Sequence, residues 1–428
     1  MKNRKLVIGL IGLGTVGASV VEILRKRRAG FLKGGYDFAF KILCDRDTGK
    51  KLQPKLKKEI FTTEPSAILN DPDINVVIEL IGGDIPARGI LLEAINRGKN
   101  VITANKRIVS EIGDVLARKA RDKNCYFGFR ATLTGCHVIM DQLVHGGPIR
   151  SVAGVFNGTS NYVLTRMKEL DAEQQQAVQE AQRLGYAERN PSEDIDGIDT
   201  AYKLKILSML VFGFKPGGKM LVEGIRRVTP QDLRFAGELG YEIRLLGIAR
   251  KLGSEMDVRV HPALVSHNSK FALIRGAENC VEIDDVLRGV GGAMYEGAGG
   301  YPAASAVVQD LIDVADGSPV NWPSYSRYGE KLNLMSRDNI KSKYYLLFKA
   351  RNKPGVLAGI ASALAENGIN IEKVEQKGEE EKGSVPVVLI TDEAVERDIH
   401  RALKKIYSLE IIRGAPKFIR FWQTSRVS

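Results

Sequence analysis

KLVIGLIGLGTVGASVVEILRKRR, residues 5–28, holds three textures in one line. Residues 5–11 are a short apolar run, residues 12–17 set Gly12, Gly14 and Gly17 in a G-x-G-x-x-G spacing, and Val20, Val21, Ile23 and Leu24 then recur with a helical period. The pattern reads as strand, tight turn, helix. Each glycine has a task in such a turn. The first permits a sharp reversal, the second lets backbone approach a pyrophosphate, the third lets helix and strand pack, and the helix N-terminus favours the anion. Glycines also mark ordinary turns, so the flanking strand and helix carry the reading of dinucleotide binding, with Thr15 and Val16 inside the same turn.

Outward from this unit, FAFKILCD (38–45), NVVIELIG (75–82) and NVITANK (100–106) read as further strands, with PARGILLEAINRG as a helix between the last two. Short β-rich runs alternating with helices predict a parallel, Rossmann-type α/β domain in the first 130 or so residues. An acid at the end of the second strand would bind the adenosine ribose and repel a 2′-phosphate, and Asp45 stands there with Arg46, Lys50 and Lys51 nearby. NAD is expected over NADP, with NADP still admitted. The competing reading of Asp45 is a solvated turn residue.

Past residue 131 the texture shifts to longer helices, AEQQQAVQEAQRLG, TAYKLKILSMLVFG and PQDLRFAGELGYEIRLLGIARKLG, with MDVRVHPALV as a strand. A glycine-rich passage, 288–305, leads into AVVQDLIDVADG, and 318–342 is polar and turn-rich. From 343 onward the order is strand, helix, strand, strand, helix, strand, a small ferredoxin-like unit.

Composition excludes several classes. No apolar run reaches the length of a membrane span, and the four cysteines lack C-x-x-C spacing, which argues against a zinc site or disulfide framework and for a reduced, cytoplasmic setting. The net charge of +12 is dispersed and not interleaved with aromatics, so it describes a solvated surface and not a nucleic-acid face.

VITANK, GVFNGTSNYVLTRM, AQRLGYAERNPSEDIDGIDTAYKLKIL and EGAGGYPAASAVVQDLIDVA follow the glycine fingerprint in that order. Together they resemble homoserine dehydrogenase over roughly residues 5–320, and NKPGVLAGIASALAENGINI resembles an ACT domain, an amino-acid-sensing module. The resemblance implies a discontinuous dinucleotide-binding domain (1–131 and 296–318), an α+β catalytic and dimerisation domain (132–295), a linker (319–341) and an ACT-like domain (342–420). It implies reversible, NAD(P)-dependent reduction of aspartate 4-semialdehyde to homoserine by a homodimer or a dimer of dimers, with threonine as the leading effector.

Asp199 and Lys203 stand at i and i+4, so their side chains meet on one helical face. Alone, such a pair reads as a surface salt bridge. By resemblance, both serve proton transfer, and Lys106 is a second active-site lysine between nicotinamide and substrate. Glu188 and Asp194 match substrate contacts, while Glu193 and Asp196 read as solvated or capping acids. Asn157, Gly158 and Thr159 resemble small hydrogen-bonding groups near the cofactor, although Asn-Gly is also a common turn. Ala104 and Asn105 precede Lys106 beside the cofactor, and Gly299 belongs to a late glycine loop that returns to the nucleotide domain.

One segment departs from the family pattern. RATLTGCHV (130–138) places Arg130 where the family has an acid, and Thr134 and Cys136 where it has small residues. Side chains added where backbone approaches a ligand predict a clash or a new loop path. This puts the family's monovalent-cation site in doubt, and no metal-ligand set is expected; Cys136 and His137 read as packing. The same departure supports a rival reading, a weakened paralogue acting as a nucleotide- and amino-acid-binding sensor. In the ACT-like unit Asn352 stands where an acid commonly precedes the Lys-Pro-Gly turn.

Overall fold

The computed structural model describes residues 4–47, 61–134, 148–218, 220–296, 299–319, 322–323, 331–376 and 383–423. The chain divides into two compact units, Met1–Thr159 with Asp199–Pro216 and Ala277–Glu330, and Ser160–Ile198 with Gly217–Gly276 and Lys331–Ser428.

In the first unit the opening stretch forms strand β1 (Arg4–Ile11), the glycine turn and helix α1 (Thr15–Lys26). Strands β2 (Tyr36–Cys44), β3 (Phe61–Thr62), β4 (Val76–Glu79), β5 (Asn100–Thr103) and β6 (Phe127–Gly128) complete a parallel sheet ordered β3-β2-β1-β4-β5-β6. The order reverses between β1 and β4, and in such sheets that point is where a ligand crevice opens at the carboxyl ends of the strands. Ile8, Leu10, Val76, Ile78 and Ile102 of the sheet bury against Val20, Val21 and Leu24 of α1. Ala304, Val307, Val308 and Leu311 of the helix Gly300–Asp316 join this core. That helix meets α1 closely at its start: a Cβ on Gly300 would fall 2.8 Å from Ser19 Oγ. The unit also holds an antiparallel ladder of Ile149–Val155, Glu278–Asp285 and Gly289–Glu296.

The second unit is built on a twelve-residue antiparallel ladder between Tyr241–Leu252 and Glu255–Ser266. The expected long helix from 230 to 253 is therefore corrected: it stops at Glu238, and Gly240, at φ +88°, turns the chain into a strand. An apolar run such as YEIRLLGIA fits both periodicities, and its pairing partner decides between them. The C-terminal unit has the expected order, with strands Tyr344–Arg351, Ile371–Gln376, Ser384–Thr391 and Lys417–Phe421 and helices Val356–Ala365 and Glu396–Ser408. Lys417–Phe421 also pairs in parallel with Glu255–Ser266, through Ala263 to Arg420 and Leu264 to Phe421. Among the described residues no helix is long and apolar enough to cross a membrane.

Candidate active site

The three fingerprint glycines differ in what surrounds them. Gly12 sits at φ +100°, where a Cβ would press on the carbonyl of Leu80 at 2.7 Å, and a Cβ on Gly17 would fall 2.0 Å from the Gly12 oxygen. Gly14, by contrast, faces open space, with nothing within 4 Å of its Cβ direction. It is the N-cap of α1 and makes no side-chain cap, so the first amides of the helix remain available to an anion. Thr15 and Val16 open that helix. These features fit a pyrophosphate laid over Gly14. Asp45 lies one residue past β2; its Oδ2 accepts the Leu13 amide at 2.7 Å and its Oδ1 the Asp47 amide at 3.0 Å. The acid is thus fastened to the glycine turn itself, with Arg46 exposed beside it.

Lys106, read from sequence as a strand end, is the first residue of the helix Lys106–Asp122. Asn105 caps that helix, its Oδ1 accepting the Ile108 amide at 3.2 Å, and Ala104 bonds back to the Glu79 carbonyl at 3.4 Å. On the helix Ile198–Phe212, Asp199 and Lys203 meet as the i, i+4 spacing requires, Nζ to Oδ2 at 2.9 Å. They are not a surface pair. Asp199 is 2% exposed and Lys203 8%. The Lys106 ammonium closes on the other carboxylate oxygen of Asp199. Asn157 donates to Oδ2 at 2.9 Å, and Lys203 also donates to the Phe156 carbonyl at 2.7 Å. Burial works against ionisation of Asp199, but Lys203, Lys106 and Asn157 together hold its carboxyl well below the ordinary carboxylate range. One buried carboxylate between two ammonium groups results.

Gly158 begins the helix Gly158–Leu170, and a Cβ there would lie 2.6 Å from the Ala277 carbonyl, which accounts for the glycine by packing. Thr159 is buried beside it. Glu188 and Asp194 belong to the second unit, Glu188 with an exposed side chain and Asp194 half-buried. Of the two acids there expected to be solvated or capping, Asp196, its side chain 40% exposed, forms a two-pronged pair with Arg226, and Glu193 sits in the first turn of the short helix Ser192–Ile195. Gly299, at φ +130°, is the N-cap of the helix Gly300–Asp316.

Of the departing segment, residues 130–134 are described. Arg130 does not reach outward. Its side chain turns inward, 6% exposed, and its guanidinium lies 2.8 Å from Asp313 and 3.3 Å from Asp310 on the helix Gly300–Asp316. Thr134 folds its hydroxyl onto the Ala131 carbonyl at 2.8 Å. Cys136, His137 and residues 135–138 generally lie outside the described residues, as do Lys50 and Lys51. Among the described residues no group of three or more His, Cys, Asp or Glu could hold a metal. Sequence reasoning missed the Phe156 carbonyl, which has no side-chain signature, and Glu79, a buried acid whose place at the end of an apolar strand was a usable signal.

A nucleotide-binding sheet whose strand β5 leads into Lys106, with that lysine bound to a buried Asp-Lys pair, is the arrangement of a nicotinamide-dependent oxidoreductase. The family model for the NAD-binding domain of homoserine dehydrogenase matches residues 12–130, the homoserine dehydrogenase model matches 136–312, and the ACT domain model matches 344–410. The chain is 36% identical to homoserine dehydrogenase of Pseudomonas aeruginosa, over 98% of this chain and 99% of that one. It is 34% identical to that of Neisseria gonorrhoeae, over 96% and 98%. A homoserine dehydrogenase structure from Thiobacillus denitrificans superposes with a TM-score of 0.90 at 35% identity, covering 98% of each chain. A hyperthermophilic archaeal homoserine dehydrogenase mutant in complex with NADPH gives 0.63 at 27% identity, covering 74% of this chain and 99% of that one. The chain belongs to the homoserine dehydrogenase family.

Proposed function

We propose that this protein interconverts L-homoserine and aspartate 4-semialdehyde, and that Lys203, Asp199 and Lys106 carry the proton chemistry. The observation that supports this most is the buried Asp199 carboxylate shared by two lysines. When bound, the nicotinamide supplies the hydride for reduction and accepts it in oxidation. An ammonium has three N–H donors, and Lys203 directs two of them at Asp199 and the Phe156 carbonyl. The third is left for the substrate oxygen, which it stabilises as alkoxide character develops and then protonates. Asp199 keeps the ammonium oriented, and Asn157 fixes the carboxylate in turn. Lys106, with a side chain 38% exposed, supplies a second cation at the same carboxylate, reachable by substrate. Glu188 and Asp194 are assigned to the substrate's amino and hydroxyl groups, and Asn157, Gly158 and Thr159 to substrate binding on the side that faces the cofactor.

The dinucleotide is assigned to Gly12, Gly14, Thr15, Val16 and Gly17, with Asp45 and Arg46 at the ribose, Ala104, Asn105 and Lys106 at the nicotinamide end, and Gly299 closing the loop. Asp45 favours NAD, because its carboxylate repels a 2′-phosphate; equal or better kcat/KM with NADPH refutes that preference. The segments 1–131 with 296–318 are assigned to cofactor, 132–295 to catalysis and dimer formation, 319–341 to a linker and 342–420 to regulation by an amino acid, threonine first. Homodimer formation is supported by Gly289–Glu296, an outermost strand in its ladder that exposes Val290 and Met294 on one side. Lys203→Met is expected to cut homoserine-dependent NAD(P) reduction by orders of magnitude while NAD(P) binding persists. Turnover near wild type removes the assignment.

A further inference from the structure

The corner that launches Lys106 is built from an acid that the proton chemistry above leaves unused. Glu79 ends β4, has no exposed surface and pairs with no cation among the described residues. Burial raises its pKa, while donors from Thr103, Ile81 and Gly82 pull the other way. The Thr103 hydroxyl lies 2.6 Å from Oε2 and the Ile81 amide 2.8 Å from Oε1.

The same Thr103 oxygen accepts the Asn105 amide at 2.9 Å. A hydroxyl has a single hydrogen, so Thr103 donates to Glu79 and accepts from Asn105, which gives the chain one polarity. Asn105 extends it in two directions: its Nδ2 donates to the Gly83 carbonyl at 2.6 Å, and its Oδ1 caps the helix at Ile108. The ends of β4 and β5 and the turn after β4 therefore converge on the residue before Lys106. A buried acid without a cation is costly, and an apolar residue would fill this strand position at less expense. What the carboxyl adds is a fixed acceptor that locks the hydroxyl, and through it the backbone at residue 105.

We propose that Glu79 and Thr103 are positioning residues that set the Lys106 ammonium on Asp199, acting through Asn105. This rests on the role assigned to Lys106 above. Thr103→Val deletes both contacts of the hydroxyl, Thr103→Ser restores them, and Glu79→Gln places an amide N–H where a donor needs an acceptor.

The test is a double-mutant cycle with Lys106→Met, reading kcat with homoserine and, separately, NAD(P) affinity by calorimetry. Thr103→Val and Glu79→Gln are expected to lower kcat about tenfold or more, the scale of a misplacement of an ångström or less. Thr103→Ser stays near wild type, and the loss of kcat in the other two persists at saturating NAD(P). On the Lys106→Met background neither substitution lowers kcat further. Losses that are as large on the Lys106→Met background as in the otherwise native chain, or that vanish at saturating NAD(P), overturn the positioning role and leave the residues as general scaffold. Full activity of Lys106→Met alone refutes instead the role of Lys106. Should Thr103→Val fail to fold, the Glu79→Gln arm of the cycle decides.

Discussion

Asp199→Asn probes the constellation at its centre. At 2.9 Å, and with an effective dielectric of about 20, the attraction between Lys203 and Asp199 is about 6 kcal/mol before desolvation is subtracted. Asparagine keeps the shape and removes the charge, which leaves two ammonium groups facing a neutral amide in a site where Asp199 is 2% exposed. Breaking a buried pair in this way costs about 3–5 kcal/mol. If the share felt by the transition state is that of one well-placed electrostatic donor, kcat falls about 10²- to 10³-fold. The assay is NAD(P)H formation at saturating homoserine and cofactor, with cofactor affinity measured alongside, because the glycine turn is untouched. Asp199 titrates below its unfolded value of 3.8, so its contribution to stability is present above about pH 4 and is lost as pH falls below that value. The stability deficit of the variant is therefore largest at neutral pH and shrinks in acid. A kcat within about fivefold of wild type, or a deficit that grows on acidification, refutes the electrostatic reasoning.

Gly14→Ala and Gly17→Ala separate ligand space from packing. The first meets nothing within 4 Å and is expected to leave the thermal midpoint unchanged while raising KM for NAD(P); the second, 2.0 Å from the Gly12 oxygen, lowers both stability and affinity. A stability loss at Gly14 contradicts this. Asp310, buried and facing Tyr126, Arg130 and Asp313, has its pKa pushed up to about 7 chiefly by burial. The fold thus holds that proton more tightly than the unfolded chain between about pH 4 and 7, and stability declines as pH rises through this window. Asp310→Asn keeps an acceptor for the Arg130 amide and removes the decline, so its midpoint gains on wild type from pH 5 to pH 8; an unchanged difference refutes the assignment. Glu396→Gln leaves the buried Arg420 half-paired and is expected to cost about 3–5 kcal/mol, read as early melting of the C-terminal unit. A midpoint equal to wild type sinks that estimate.

The nucleotide fold was legible because its signals are local. Three glycines, a strand and an amphipathic helix lie within 24 consecutive residues, and Asp45 falls at a strand end that its own sequence marks. The Asp199–Lys203 pair was legible for the same reason, since four residues on a helix are neighbours by geometry. What the spacing could not supply was burial, and burial is what separates this pair from an ordinary surface one. The failures share a non-local cause. Residues 241–252 are a strand because Glu255–Ser266 pairs with them along twelve positions, and Gly289–Glu296 is a strand because Glu278–Asp285 lies beside it. Arg130 reads as an intrusion until Asp310 and Asp313, some 180 residues later, are seen to receive it.

The C-terminal unit is legible as a module, yet its last strand does not behave as the edge of a tethered one. Lys417–Phe421 pairs with Tyr344–Arg351 on one side and with Glu255–Ser266 on the other, so a single strand joins the two sets of strands into one continuous sheet. Arg420, 1% exposed, sits at that junction with two bonds of 2.6 Å to Glu396 of the C-terminal helix and one of 2.7 Å to Glu223. Arg337 bridges the same two acids at 2.7 and 2.9 Å. Burial opposes the charge on Glu396, but Arg420 and Arg337 hold its carboxyl down at about 2, so the network stays ionised across the physiological range. Small movements of the C-terminal helix must either carry Arg420, and with it the strand shared with Glu255–Ser266, or break a buried pair at a cost of several kcal/mol, on the order of 3–5. A ligand that displaces this helix therefore acts on the paired strand through the Arg420–Glu396 pair.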